Sequence, residues 1–124
     1  MKLTVTGPIP SKKNKLHPRS DRKGYFNPDH DRLQDIVYQI LMQTGNIEPF
    51  NQPSLIVNFK CSNARGDLDG KLTTLLDCMV RAGILVNDNL KHLPGPITFS
   101  GEISEMDEAT VMIHCGILYI GPFE

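Results

Sequence analysis

Residues 54–88 read SLIVNFKCSNARGDLDGKLTTLLDCMVRAGILVND, and the succession of patterns within them decides the fold. Ser54 to Cys61 follows Pro53 and is rich in β-branched and aromatic residues over a strand-like length. From Asp69 onward Leu72, Leu75, Leu76 and Met79 recur at helical spacing, and Gly83 stands where a C-terminal glycine cap belongs. Ile84 to Val86 then reads as a short extended segment running into Asn87-Asp88-Asn89. A strand therefore gives way to a helix close to Asp67 and Asp69.

Working outward, Lys2 to Thr6 alternates polar and apolar before Gly7-Pro8-Ile9-Pro10, which predicts a short opening strand and a break. A long loop follows to about Asn27. Loops beyond about 12 to 15 residues are uncommon in compact domains and often carry function. Asn27 and Pro28 suit a helix start, and Leu33, Ile36, Val37, Ile40 and Leu41 mark one face of a helix that ends near Gly45. Beyond residue 88, two strands are expected at about Ile97 to Ser104 and Thr110 to Ile120, separated by an acidic turn around Asp107. The order β, α, β, α, extended segment, β, β with a closing hairpin predicts a single α+β domain over residues 1–124, built on a mixed sheet with two main helices.

Composition narrows the class. With 40% hydrophobic and 22% charged residues and no tryptophan, the chain suits a globular protein with an aliphatic core, not a disordered or fibrous one. No apolar run approaches the roughly 20 residues of a membrane span, and residues 1–15 lack the apolar stretch of a secretory signal, so a cytoplasmic location is expected. Cys61, Cys78 and Cys115 are far apart and odd in number, which suggests small core residues, not a disulfide framework or a zinc site. His17, His30, His92 and His114 have no ligand spacing; His114 reads as a sheet-face residue and His17 is within reach of DNA if the loop binds it.

The net charge of -1 hides an uneven distribution. Residues 1–32 hold eight basic side chains against three acidic ones, and the remainder five against eleven, giving balances of +5 and -6. Such a division fits phosphate capture beside a cation site, and equally fits a solvated loop that aids solubility.

Asp67 and Asp69 stand two apart where strand becomes helix, so both carboxylates can face the same side of the junction. Two such anions repel unless a positive charge lies between them, and a hard divalent cation such as Mg²⁺ takes oxygen ligands. The plainer alternative makes Asp69 a helix N-cap and Asp67 a turn residue. Asp88 joins them only if the chain folds back: the helix from Asp69 to Arg81 advances roughly 18 Å, and seven nearly extended residues return about 20 Å. Otherwise Asp88 forms a turn with Asn87 and Asn89. Lys71, in the first helical turn, could reach a phosphate or a leaving oxygen, or simply be solvated. Asp77 lies farther along the helix and reads as structural.

The segment from Arg65 to Asn89 resembles the core of the RusA family of Holliday-junction resolvases, D-x-D-N-x-x-K-x-x-x-D-x-L-x-x-x-G-x-x-x-D-D. The spacings from Asp67 through Asp69, Asp77 and Gly83 to Asp88 match without a gap, and residues 7–14, GPIPSKKN, are similar to the proline-rich segment that follows the family's first strand. The resemblance implies a homodimer of α+β subunits that binds four-way DNA junctions and cuts two strands symmetrically with Mg²⁺, in recombination and repair. Its acidic triad falls on Asp67, Asp69 and Asp88. The family's lysine falls on Thr73, whereas Lys71 stands two positions earlier and about 200° away around the helix. Gly70 and Asn87 also depart from the pattern.

The expected mechanism is hydrolysis of a phosphodiester at the three aspartates, assisted electrostatically by Lys71. Phosphates would be neutralised by Lys12, Lys13, Lys15, Arg19 and Lys23, with Asn14 adding a directional hydrogen bond. Two other readings stay open: a non-catalytic DNA-binding or assembly protein with structural carboxylates, and a metal-dependent hydrolase of small phosphate esters.

Overall fold

The computed structural model describes residues 1–11, 28–63, 67–88 and 96–114, together with the backbone of residues 17–18 and 25–26. Its elements are β1 (Lys2–Thr6), β2 (His17–Pro18), β3 (Tyr25–Phe26), α1 (His30–Thr44), β4 (Ser54–Cys61), α2 (Leu68–Arg81), β5 (Ile97–Ile103) and β6 (Glu108–His114). The fold is α+β. A four-stranded mixed sheet in the order β1-β6-β4-β5 packs one face against both helices.

The side chains of one sheet face account for this layering. Leu3 and Val5 of β1, Leu55, Val57 and Phe59 of β4, and Ala109, Val111 and Ile113 of β6 alternate onto it and are all buried. Ile36 and Ile40 of α1 and Leu75, Cys78 and Met79 of α2 close over them. On the opposite face, Lys2, Met112, Ile56 and Thr98 form one row across the strands. His114 lies on that face too.

The expected closing hairpin does not form. β5 pairs in parallel with β4, β6 pairs antiparallel with both β4 and β1, and residues 104–107 pass over the end of β4. Burial explains the arrangement: the three inward side chains of β6 need neighbours on both sides, whereas β5, with Thr98, Ser100, Gly101 and Glu102, tolerates an edge. α2 is thus the crossover between parallel strands, and its first residues sit at the same end of the sheet as the end of β4.

Helix boundaries also move. α1 begins at His30 with Asp29 as N-cap, two residues later than Asn27 suggested, because the first helical bond runs from the Leu33 N–H to the Asp29 carbonyl. Its end at Gly45 agrees with expectation. α2 ends as its glycine predicted: Gly83 has φ 81, the Gly83 N–H donates to the Val80 carbonyl, and the Ile84 N–H donates to the Met79 carbonyl. The extended segment after it is reduced to a single bridge between Leu85 and Phe50. Within the region read as one basic loop, β2 and β3 form a two-residue ladder. No helix among the described residues is long and apolar enough to cross a membrane.

α1 also closes one edge of the sheet. Gln43 exchanges hydrogen bonds with the backbone N–H and carbonyl of Thr4 at 2.9 and 2.6 Å, and Gln39 does the same with Thr6 at 2.9 and 3.0 Å. The two amides occupy the place of a fifth strand beside β1, satisfying groups that an exposed edge would offer to other chains.

Candidate functional site

The carbonyl of Asp67 accepts from the Lys71 N–H at 3.1 Å, which makes Asp67 the N-cap of α2 and puts Asp69 inside the first turn. The alternative that Asp69 caps the helix is therefore shifted by two residues. Asp67 has the extended backbone of a cap residue, yet its side chain makes no capping hydrogen bond. Asp69 Oδ1 accepts from the Gly70 N–H at 2.9 Å. Both aspartates are exposed at the positive end of the helix, where anions are favoured.

Lys71 is half-buried, and its Nζ donates to the Ile9 carbonyl at 2.8 Å. That contact joins the root of the basic segment to the first turn of α2. Lys12, Lys13, Asn14, Lys15, Arg19 and Lys23 lie outside the residues the structure describes. Thr73, where the resemblance would put a lysine, is exposed, and its hydroxyl donates to the Asp69 carbonyl at 2.9 Å.

Two residues that the sequence did not single out hold this end of the sheet together. Asp107 accepts from the Ser62 N–H and the Ser62 hydroxyl, both at 2.8 Å, pinning the chain as it leaves β4 toward Asp67. The Ser62 backbone and hydroxyl donors hold the Asp107 carboxyl below its ordinary value; burial opposes the shift, while Lys71 and Arg32 reinforce it. Arg32 clamps the turn after β1: Nε donates to the Pro8 carbonyl at 2.7 Å, Nη2 to the Thr6 carbonyl at 2.6 Å, and Nη1 pairs with Asp35. Its guanidinium lies over Gly7, where an added Cβ would come 2.7 Å from Nη2, and the φ of 92 there already disfavours any residue with a side chain. Arg32 therefore spends its charge on the fold. The only available signal was the acidic turn preceding β6, since the partners of Asp107 and Arg32 are distant in sequence.

Because its folded value is depressed, the Asp107 carboxylate contributes stability that is fully present above the unfolded value and lost as pH falls through the folded one. Asp107→Asn should lower the urea midpoint at pH 7, and the difference from wild type should shrink as the pH falls below about 4. Paired urea titrations at pH 7 and pH 3 check this.

Asp88 is exposed, and its N–H is held by the side chain of Asn87 at 2.7 Å. It follows Leu85, which bridges Phe50 just before β4, at the end of the sheet away from the start of α2. Three residues reach at most about 10 Å back along a helix about 20 Å long. Among the described residues, no three His, Cys, Asp or Glu side chains are grouped to hold a metal ion. Asp67 and Asp69 supply carboxylate oxygens of the kind that Mg²⁺ prefers, at one helix start; Asp88 comes three residues after the Leu85 bridge. No protein-family model matches the chain, and no curated protein is significantly similar to it.

Proposed function

We propose that this chain is a Mg²⁺-dependent, structure-selective DNA endonuclease that resolves four-way junctions by paired strand cleavage, acting as a homodimer in recombination and repair. The observation that supports it best is the contact of Lys71 with the Ile9 carbonyl, because it ties the chain just before the basic segment to the first turn of α2, the helix start that carries Asp67 and Asp69. A phosphate drawn in by Lys12, Lys13, Lys15, Arg19 and Lys23 would meet those carboxylates at the positive end of α2.

Asp67 and Asp69, two residues apart at the start of α2, would be cation ligands, and Asp88 is the third in the resemblance to RusA-type resolvases. A bound Mg²⁺ would supply Lewis acidity and an activated water. Lys71 acts through the chain that leads into the basic segment: its ammonium holds the Ile9 carbonyl. Lys71→Gln should weaken junction binding about tenfold, as expected for losing a charge-assisted hydrogen bond of about 1.5 kcal/mol. A gel-shift titration at low salt checks this.

The place of Asp67 as the N-cap of α2 favours a second reading, a non-catalytic DNA-binding or assembly protein with structural carboxylates. Incubation of the purified protein with a labelled synthetic four-way junction, with and without Mg²⁺, separates the two. Symmetric nicks that require Mg²⁺ support the nuclease; tight binding without cleavage supports the alternative.

A further inference from the structure

Three sides of α1 face other parts of the fold, and the fourth is exposed. Ile36 and Ile40 enter the core, Leu33 and Val37 pack beside them, and Arg32, Gln39 and Gln43 turn toward β1 and the turn after it. At about 100° per residue, Asp31, Gln34, Tyr38, Leu41 and Gly45 follow one another along the fourth side, with Asp35 and Met42 next to that line. Alternating steps of three and four residues are those of a helix seam that meets another helix.

The C-terminal half of the seam is apolar. Tyr38, Leu41 and Met42 are 60%, 41% and 68% exposed, Ile47 just beyond the helix is exposed too, and a Cβ on Gly45 would meet nothing among the described residues within 4 Å. Tyrosine and methionine are both enriched where proteins dock. Gln39 bonds to Thr6 at the end of β1 and Gln43 to Thr4 nearer its start, so α1 runs back along the sheet. Its apolar half therefore lies toward the end of the sheet opposite the start of α2.

Charge selects the occupant. Residues 28–50 carry Asp29, Asp31, Asp35 and Glu48 against one cation, Arg32, which is paired with Asp35. Asp31 stands in the seam two turns before Tyr38, and Glu48 follows Ile47, so an exposed carboxylate lies beyond each end of the apolar stretch. Nucleic acid and anionic lipid are repelled by such a face, and a second copy of the chain would set acid against acid. A helix bearing lysine or arginine is attracted.

We infer that the outward face of α1 docks a basic amphipathic helix of another protein. Apolar side chains of that helix cover Tyr38, Leu41 and Met42, and a lysine or arginine two turns along, roughly 10 Å away, meets Asp31. The docking is independent of the nuclease reading, because it is measured without DNA or Mg²⁺.

The probe is a fluorescein-labelled helical peptide of about 18 residues, with leucines at alternating three- and four-residue steps and lysines on the flanks. Fluorescence anisotropy against the full chain should show saturable binding, at least about tenfold weaker when glutamate replaces every lysine. Tyr38→Ala combined with Met42→Ala should weaken the lysine peptide by at least about tenfold, and both side chains are exposed, so the fold is kept. Asp31→Lys should shift the preference toward the glutamate peptide. Ile56→Ala combined with Met112→Ala, on the outer face of the sheet, should bind as wild type does. Absence of binding, equal binding of the two peptides, or an equal loss in the sheet-face variant overturns docking on α1. A lower sedimentation coefficient for the Tyr38→Ala, Met42→Ala protein alone overturns it as well, and assigns the face to a second copy.

Discussion

Asp69→Asn should lower the rate of Mg²⁺-dependent junction cleavage by at least about 100-fold while leaving junction affinity unchanged or higher, and Asp67→Asn should do the same. Both carboxylates are exposed at the start of α2, so neither substitution disturbs the core. Replacing an anion by a neutral amide also removes repulsion toward the DNA phosphates, which is why binding should not fall with cleavage. Single-turnover cleavage and gel-shift titration, on the same preparations, separate the two quantities. If both variants cut at the wild-type rate, the aspartates are not ligands and the nuclease reading fails. Asp88→Asn adds a second arm. An equal loss means that the three carboxylates act together when DNA and cation are bound; wild-type cutting restricts the site to the two aspartates of α2.

The largest stability effect is expected at Phe59. Its ring is buried, and its neighbours on the same sheet face are Gly101 across the parallel ladder and Ala109 across the antiparallel one. Two small residues thus flank the bulkiest buried side chain of the sheet and make room for it. Phe59→Ala leaves a cavity that neither neighbour can fill and should cost about 3–5 kcal/mol. Domains of this size have about 5–15 kcal/mol of total stability, so the loss should lower the Tm by roughly 12–20 °C. Thermal melts by circular dichroism check it. Phe59→Leu, which retains most of the volume, should recover more than half of the loss; if Phe59→Ala melts within about 3 °C of wild type, the ring is not packed as described.

Local signals were sufficient where a residue's partners lie within a few positions. The period of Leu72, Leu75, Leu76 and Met79 and the glycine at position 83 determined α2 and its cap, because helical bonds and the left-handed turn that follows them are local. Alternation in Lys2 to Thr6 and the β-rich run Ser54 to Cys61 determined two strands, and the position of Asp67 and Asp69 at a strand-to-helix passage followed from those elements alone.

Tertiary structure decided the rest, through contacts whose partners are tens of residues apart. Strand order is the plainest case: β5 and β6 are adjacent in sequence and look like a hairpin, but burying Ala109, Val111 and Ile113 on both sides requires β6 to lie between β1 and β4. The sites of Lys71 and Asp107 are others, since Lys71 meets Ile9 and Asp107 meets Ser62 only after the sheet has assembled. The distance from Asp88 to the other aspartates belongs here too, because it depends on the path taken after Leu85 docks beside Phe50. Sequence spacing sets how far a chain can reach; packing sets the direction in which it goes.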